Sequence, residues 1–301
     1  MKKAGKVILG IVAITLVINL ILALISTFLP VSFLKPADLI ESPRVFAVFN
    51  LGKYTISINQ TIVNTWVLMI LAIIILVLGT RNLSVDNPKG FQLLLEEYYK
   101  FIENTFLANY RDYKKRFIPF FSALFAFILL SNLSVFLFPF IMMYEKEGNM
   151  LVIKPFFRTA TADINTTLGL AIIVTVLFVT CWVKRIGIIG IFKELCHPFF
   201  IMLPINIIGE LAKPINISMR LFGNMFAGLV IIGLLYGISF NNVLSTWTFH
   251  LLKGSFSFAV AWPAALQLYL DLFIGILQAF VFTVLSSVYV EQTLIGDEEE
   301  E

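Results

Sequence analysis

The chain has 301 residues, of which 59% are hydrophobic and only 14% are charged. A soluble domain carries about 25% charged residues, and this chain repeatedly contains runs of about 20 apolar residues, each long enough to cross a hydrocarbon core about 30 Å thick. The composition therefore excludes a soluble globular protein and predicts an all-α, polytopic membrane protein. The net charge of +3 says little by itself, and the two cysteines lack metal-ligand spacing. We expect no metal, no cofactor and no nucleic-acid partner.

Six apolar segments follow one another, and they predict five or six transmembrane segments. They cover residues 7–29, 61–79, 117–142, 168–183, 199–240 and 256–291. The first segment is either a secretory signal peptide or a retained additional helix. It exceeds the usual signal core of about 7–15 residues and no A-x-A-like site follows it, so we favour the retained helix.

We expect a single membrane domain over residues 1–301. Three spans and a cytoplasmic amphipathic segment, 88–116, lie within 61–183. A pair of tilted helices occupies 199–291, and the acidic stretch 292–301 is expected to be a solvated cytoplasmic tail.

Basic residues predict the orientation. With the N-terminus inside, the inner segments hold thirteen Lys and Arg, and the outer loops hold seven. Because positive residues favour the cytoplasmic side, this arrangement places both termini in the cytoplasm.

The last two segments exceed the length of an upright span. A helix over 263–291 measures about 43 Å, whereas about 30 Å suffices. Long helices of this kind tilt, bend or project from the membrane. Pro204 and Pro214 interrupt the first of the pair, so we also expect a bend there.

Arg220 is the only Lys, Arg, Asp or Glu between Lys213 and Lys253. An arginine at a helix centre costs about 2.5–3.5 kcal/mol on insertion scales, so it is a candidate functional residue. Asn224 lies about 40° from it around the helix, and Lys213 falls close to the same line. The alternative is a structural role, in which Arg220 reaches an interface or pairs with a carboxylate.

The final helix carries a second polar stripe. Gln267, Asp271 and Gln278 lie within about 40° of one another. Asp271 is the only carboxylate between Glu210 and Glu291. It is either an ion-accessible carboxylate in a polar cavity or the partner of Arg220 in a buried ion pair.

Several motifs together resemble the a subunit of F-type ATP synthases. They are ELAKPINISMRLFGNMFAG at 210–228, ILQAFVFTVLSSVY at 276–289, TADINTTLGLAI near 160–172 and FILLSNLSVFLFP at 127–139. The resemblance begins at about residue 55, and the helix at 7–29 is an addition to the usual five-span pattern.

The resemblance implies a stator that packs against a rotating ring of c subunits. Arg220 would attract the ionised carboxylate of each passing c subunit and separate two aqueous half-channels. Asn224 and Gln278 match polar positions near the family's arginine, and Asp271 falls where the family places a polar or ionisable residue of the entry channel. Gln267, from the same stripe, is a further candidate for ion translocation. ATP would form in a soluble head, and the chain contains no GxxxxGK[ST] phosphate-binding loop. The chain itself is therefore expected to be non-catalytic.

One position departs from the family pattern. In some members the residue at the position of Asp271 is paired with an ionisable residue on the arginine helix, one place after the glycine that matches Gly228. In this chain that place is occupied by Leu229. Asp163 and Asn165 are candidates for the outer half-channel, with helix capping as the alternative. Glu210 and Lys213 are candidates for the cytoplasmic half-channel, with an ordinary helix-surface pair as the alternative.

The implied partners are the c-ring, the b subunit of the peripheral stalk, the remaining ATP synthase subunits and the lipid of a bacterial plasma membrane. We expect the ion to be a proton, although selection between proton and sodium would depend mainly on the ring. The alternative function is a self-contained secondary transporter in which Arg220 binds an anionic substrate. A third possible function is that of an assembly protein, in which the buried ion pair is incidental. Transporters of the second kind often contain inverted repeats, and no internal repeat is visible here.

Overall fold

The computed structural model describes residues 31–33, 44–52, 54–81, 83–84, 90–137, 142–147, 150–155, 159–197, 199–237 and 269–295. Most of them belong to six helices. These are α1 (Gln60–Gly79), α2 (Phe91–Thr105), α3 (Lys114–Leu137), α4 (Ile164–Leu195), α5 (Leu203–Gly237) and α6 (Gly275–Ile295). The predicted segment 7–29, Gln267 and the tail from residue 296 lie outside the described residues.

Five described segments are long and apolar enough to cross a membrane. They are Gln60–Gly79, Arg111–Ser134, Ile164–Leu195, Phe200–Ile231 and Leu272–Ile295. This confirms the predicted all-α, polytopic membrane class. The first of them, α1, has 20 residues and therefore a length of about 30 Å, and its bounds agree with the predicted run 61–79 because the apolar stretch is unbroken.

The helix α2 lies within the predicted amphipathic segment 88–116 and packs along α3. Ile102 is fully buried, whereas Leu94 is exposed. The hydroxyl of Tyr98 donates a 2.6 Å hydrogen bond to the carbonyl of Ser122 on α3. The partial burial of Tyr98 in this contact raises its pKa to about 12.

Two small sheets occupy loops for which the sequence analysis predicted no structure. The strand β1 (Val31–Phe33) pairs in parallel with β5 (Met150–Pro155), and β5 pairs antiparallel with β4 (Met142–Glu147). The strands β2 (Val45–Leu51) and β3 (Tyr54–Asn59) form a hairpin that leads directly into α1. Gly52, with φ 62°, supplies the positive φ that a tight hairpin turn requires.

Two predicted helix ends differ from the structure. The third span ends at Leu137 rather than near 142, where β4 begins. The fourth does not stop at Lys184 and Arg185: the chain reverses at Gly187, with φ 72° and ψ 169°, and a second helical stretch continues to Leu195. Glu194 stabilises this turn, because it accepts hydrogen bonds from Trp182 at 2.7 Å and from Arg185 at 3.1 Å.

The long helix α5 is not interrupted by its prolines. Pro204 lies in its first turn, where no intrahelical N–H bond is lost, and the helix continues through Pro214. The helix is thus continuous through both prolines, and the bend expected there stays a prediction. With 35 residues, α5 is about 52 Å long, so the strong tilt stays a prediction that its length supports. A π-helical turn, Tyr269–Ile274, leads into α6.

The described residues divide into two compact units. One comprises the sheets and the helix ends within Met1–Asn64, Ser134–Arg158 and Phe226–Ile274. The other comprises most of the helices, within Thr65–Leu133, Thr159–Met225 and Gly275–Glu301. The core of the second unit is aromatic: Phe106 packs against Phe125 and Phe280 with ring centroids 5.4 and 5.5 Å apart.

Candidate functional site

Arg220 lies on the exposed side of α5. Its Nη2 donates to Oδ1 of Asn216 over 3.5 Å, which is a weak hydrogen bond. Within the part of the chain that the structure describes, no carboxylate lies within 4.0 Å of the guanidinium. The charge of Arg220 is therefore not neutralised by any of these residues.

The helix α5 has two distinct faces. Ile217, Ser218 and Leu221 are each at most 2% exposed and pack inward. Arg220 and Asn224, which lie about 40° apart around the helix, are both exposed. The structure thus places the two predicted residues on one accessible face, as the helical spacing indicated.

A hydrogen bond between buried hydroxyls fixes the inner face of α5 against α4. The hydroxyl of Ser218 donates to Oγ1 of Thr167 over 3.3 Å, and Thr167 in turn donates to the carbonyl of Ile164. Because both residues are at most 1% exposed, this contact sets the rotation of α5 about its axis. It thereby directs Arg220 away from α4.

The predicted stripe on the final helix is only partly described. Asp271 belongs to the π-helical turn that leads into α6, and its side chain lies outside the described residues. Gln278 lies on α6 and is 5% exposed. It shares the buried face of that helix with small and hydroxyl-bearing side chains, among them Ala279, Thr283 and Ser286.

A buried polar cluster beside the start of α6 was missed by the sequence analysis. The amide nitrogen of Asn132, on α3, donates a 2.9 Å hydrogen bond to the carbonyl of Gly275. Its amide oxygen accepts a 2.5 Å hydrogen bond from the hydroxyl of Thr161. Both residues lie in the motifs that carry the family resemblance, but nothing in their local spacing indicates that they meet.

Glu210 and Lys213 form an ion pair one turn apart on α5, with 2.6 Å between Nζ and Oε1. The ammonium group of Lys213 also lies 5.5 Å from the ring centroid of Tyr289 on α6. Both charged side chains are about a quarter exposed. The pair therefore links α5 to α6 and remains accessible to solvent, and its predicted role in a half-channel stays a prediction.

Asp163 caps the N-terminus of α4. Its Oδ1 accepts hydrogen bonds from the backbone N–H of Asn165 at 3.0 Å and from the Asn165 amide at 3.1 Å. Such a cap satisfies a backbone donor that the first helical turn leaves unpaired. The structure thus shows the capping interaction that was the alternative to a role in the outer half-channel.

Substitutions of Asp163 should separate these two roles. We expect Asp163→Asn to retain ATP-driven ion pumping, because asparagine caps a helix as well as aspartate does. Asp163→Ala should lower the unfolding free energy by about 1 kcal/mol through loss of the cap. Pumping and thermal unfolding of the purified complex measure the two effects. A loss of pumping in Asp163→Asn would instead show that the path requires the carboxylate.

The site offers charge and hydrogen bonds rather than metal ligands. Among the described residues, no three His, Cys, Asp or Glu side chains are close enough to hold a metal ion. What α5 presents is an accessible guanidinium, and a guanidinium stabilises an ionised carboxylate brought near it. The chemistry available on this face is therefore the attraction of a mobile anionic group.

A comparison with known families decides the classification. The profile of the family described as ATP synthase A chain matches residues 62–291, which include α2, α3, α4 and α5 and most of α1 and α6. The chain belongs to this family. Members of the ATP synthase A chain family are multi-pass membrane subunits, so the chain is a membrane-sector subunit of an ATP synthase complex, and the resemblance seen in the sequence is confirmed.

Individual relatives support this family assignment over most of the chain. The protein "ATP synthase subunit a, sodium ion specific" of Propionigenium modestum is 36% identical, with 99% of each chain covered. ATP synthase subunit a of Moorella thermoacetica is 30% identical over 84% of this chain and 98% of its own. That of Streptococcus agalactiae serotype Ia is 31% identical over 81% and 94%. The first alignment also includes the predicted N-terminal segment 7–29, since it covers 99% of this chain.

Proposed function

We propose that this chain is the ion-translocating stator of the ATP synthase membrane sector and that it faces a rotating ring of c subunits. One observation carries the proposal: Arg220 lies on the exposed face of a long apolar helix, and no carboxylate among the described residues neutralises it. A charge in this position requires a partner outside the described part of the chain. An ionised carboxylate on each ring subunit would supply that partner.

The electrostatics of the face suit a barrier between two half-channels. A carboxylate that enters the field of Arg220 has a lowered pKa and releases its ion. The same positive charge repels a free cation and prevents a direct leak across the membrane. Ions would therefore cross only while they are bound to the moving ring.

Other residues are proposed to line the two half-channels. Asn224 and Gln278 would surround the arginine, and Gln267 and Asp271 would belong to the outer entry path. The inner path would pass the solvent-accessible pair of Glu210 and Lys213, with 2.6 Å between its charged atoms. Asp163 and Asn165 are proposed to lie beside the outer path, where an amide at position 163 would serve as well as the carboxylate that caps α4.

The stator role implies which subunits this chain contacts and in which membrane the complex lies. We propose that the c-ring and the b subunit of the peripheral stalk contact this chain and that the complex lies in a bacterial plasma membrane. Catalysis of ATP formation would take place in the soluble head, so this subunit would conduct ions without catalysing a reaction itself.

The proton is the ion that the sequence analysis expected, and sodium is the candidate that two observations favour. Sodium is favoured because the Propionigenium modestum relative, which is similar over 99% of both chains, is named as sodium ion specific. Sodium is also favoured because Leu229 occupies the place at which some family members have an ionisable residue. Hard cations prefer oxygen ligands, whereas proton relays commonly use Asp, Glu or His. Pumping of protons by the complex in sodium-free buffer distinguishes the two ions.

Disulfide crosslinking to the ring tests the proposal directly. We expect a cysteine in place of Asn224 or Ile231, both exposed on α5, to crosslink with a cysteine near the ring carboxylate and to stop ATP-driven pumping. The native Cys181 and Cys196 are first replaced by serine so that they do not compete. Leu221→Cys is the matched control, because this position on the same helix is 1% exposed.

Two patterns of crosslinking contradict the proposal. If no exposed position on α5 crosslinks in membranes that contain both subunits, a self-contained transporter becomes the better explanation. If Leu221→Cys crosslinks as efficiently as Asn224→Cys, the ring does not contact the face that carries Arg220.

A further inference from the structure

The cluster of Asn132, Thr161 and Gly275 joins three parts of the fold at one buried point. Asn132 is 1% exposed and Thr161 is fully buried. The amide of Asn132 uses its N–H to bind the first residue of α6 and its oxygen to bind the turn that precedes α4. Neither bond is local: the partners are 143 and 29 residues apart in sequence.

The packing around Gly275 is close. A Cβ added to Gly275 would lie 3.2 Å from the Cβ of Asn132, which is tighter than ordinary packing allows. The methyl group of Met225, on α5, lies 4.0 Å from the same place. Four elements therefore meet here: α3, the turn before α4, α5 and α6. Met225 directly follows Asn224, so the residues that converge on Gly275 adjoin the proposed ion path.

We infer that Asn132 is a positioning residue for ion transfer: through the carbonyl of Gly275 it fixes where α6 begins and so places Gln278 relative to Arg220 and Asn224. This role rests on the proposed function. Gln278 follows Gly275 by three residues, slightly less than one helical turn, so a displacement of the Gly275 carbonyl moves Gln278 with it.

The asparagine amide is suited to this task because it both donates and accepts. Its donor end satisfies the Gly275 carbonyl and its acceptor end satisfies Thr161, so the side chain has one favourable orientation. The surroundings are buried, and neither end has water as an alternative partner. The π-helical turn Tyr269–Ile274 ends directly before Gly275, and such turns often mark functional sites. The bond from Asn132 holds the helix at the residue where that irregular geometry ends.

Two substitutions and one conservative replacement test the inference in vesicles that contain the whole ATP synthase. Asn132→Leu and Thr161→Val retain side-chain volume but remove the hydrogen bonds. We expect each to lower ATP-driven pumping per assembled complex by about tenfold to a hundredfold, since a misplacement of about 1 Å within a reaction path can cost about a hundredfold. Thr161→Ser restores the hydroxyl and should return the rate to within about twofold of the original. Thr180→Val is the matched control, because the exposed Thr180 bonds only to a carbonyl of its own helix.

The double variant tests whether the two residues act through one network. Asn132→Leu combined with Thr161→Val should pump no more slowly than the slower single variant, because each substitution already breaks the same chain of bonds. The amount of assembled complex is measured in every sample by quantifying the ring that co-purifies with this subunit. A structural role alone would reduce that amount and leave the rate per complex unchanged.

Several results would overturn the inference. They are an unchanged rate per complex in Thr161→Val, an equal loss in Thr180→Val, or losses that multiply in the double variant. If Asn132→Leu does not assemble, the comparison of Thr161→Val with Thr161→Ser still tests the inference. Arg220→Ala is measured in parallel. If that variant pumps normally, the proposed function is contradicted. If Arg220→Ala does not pump but Thr161→Val pumps normally, only the role of Asn132 is rejected.

Discussion

Replacing Arg220 with alanine should abolish ATP-driven ion pumping while the subunit still assembles with the ring. The side chain is exposed, and its only hydrogen bond to the described residues is a weak one to Asn216, so its removal costs little folding energy. Two unit charges about 4 Å apart attract by about 4 kcal/mol at an effective dielectric constant of 20. Loss of that attraction corresponds to about a thousandfold in the population of ionised ring carboxylate, since about 1.4 kcal/mol is a factor of ten.

A control must show that the loss comes from this charge and not from charge removal in general. Lys100→Ala removes a cation from α2, where Lys100 pairs with Glu97 over 2.9 Å on an exposed surface. Such exposed surface pairs contribute little because solvent screens them, so this variant should pump normally. Pumping is followed in inside-out vesicles after the content of assembled complex has been equalised. Normal pumping by Arg220→Ala would remove the basis of the stator proposal.

Those parts of the fold that depend on local apolar pattern could be predicted from the sequence. The bounds of α1 agree with the apolar run 61–79 because no charge or proline interrupts that run. The common exposed face of Arg220 and Asn224 follows from helical geometry, since residues four apart lie about 40° from each other. The helix α2 was likewise indicated by its mixture of charged and apolar residues.

Features that depend on contacts between distant residues could not be predicted. The reversal at Gly187 depends on Glu194, which reaches back to Trp182 and Arg185 after the chain has turned. A pair of basic residues followed by an apolar stretch gives no sign of that contact. The strands β4 and β5 were missed for a related reason: their pairing determines their structure, and β-strand formation depends strongly on tertiary context.

The cluster around Asn132 illustrates the same limit within the candidate site. An asparagine in a membrane helix is expected to find a hydrogen-bond partner, but the sequence does not say which one. Only the fold shows that the partners are the Gly275 carbonyl and the Thr161 hydroxyl. Charged residues such as Arg220 are conspicuous because their cost in lipid is large. Neutral polar residues that orient them are difficult to recognise in a sequence, because hydrogen bonds to distant residues offset the cost of placing them in the membrane.

Replacing Asp271 with asparagine should slow ion transfer roughly a hundredfold without preventing assembly. Asparagine has the same shape but does not exchange a proton or supply a negative charge near neutral pH, and acid–base groups that act in transfer commonly contribute about 10²–10⁴ in rate. The measurement is the initial rate of ATP-driven pumping per assembled complex. Glu291→Gln is the matched control: it makes the same chemical change in α6, at a residue that lines an open cavity with Arg111 and Lys114.

The alternative for Asp271, a structural ion pair with Arg220, makes a different prediction for the same variant. Breaking a buried ion pair on one side leaves an uncompensated charge and costs about 3–5 kcal/mol, which is a large part of the stability of a typical domain. Asp271→Asn would then assemble poorly, and Arg220→Ala would restore assembly in the double variant by removing the charge left behind. If Asp271 acts in ion transfer, assembly stays normal in Asp271→Asn and the double variant pumps no better than Arg220→Ala. An unchanged pumping rate in Asp271→Asn would exclude the ion-transfer role, and restored assembly in the double variant would identify the pair.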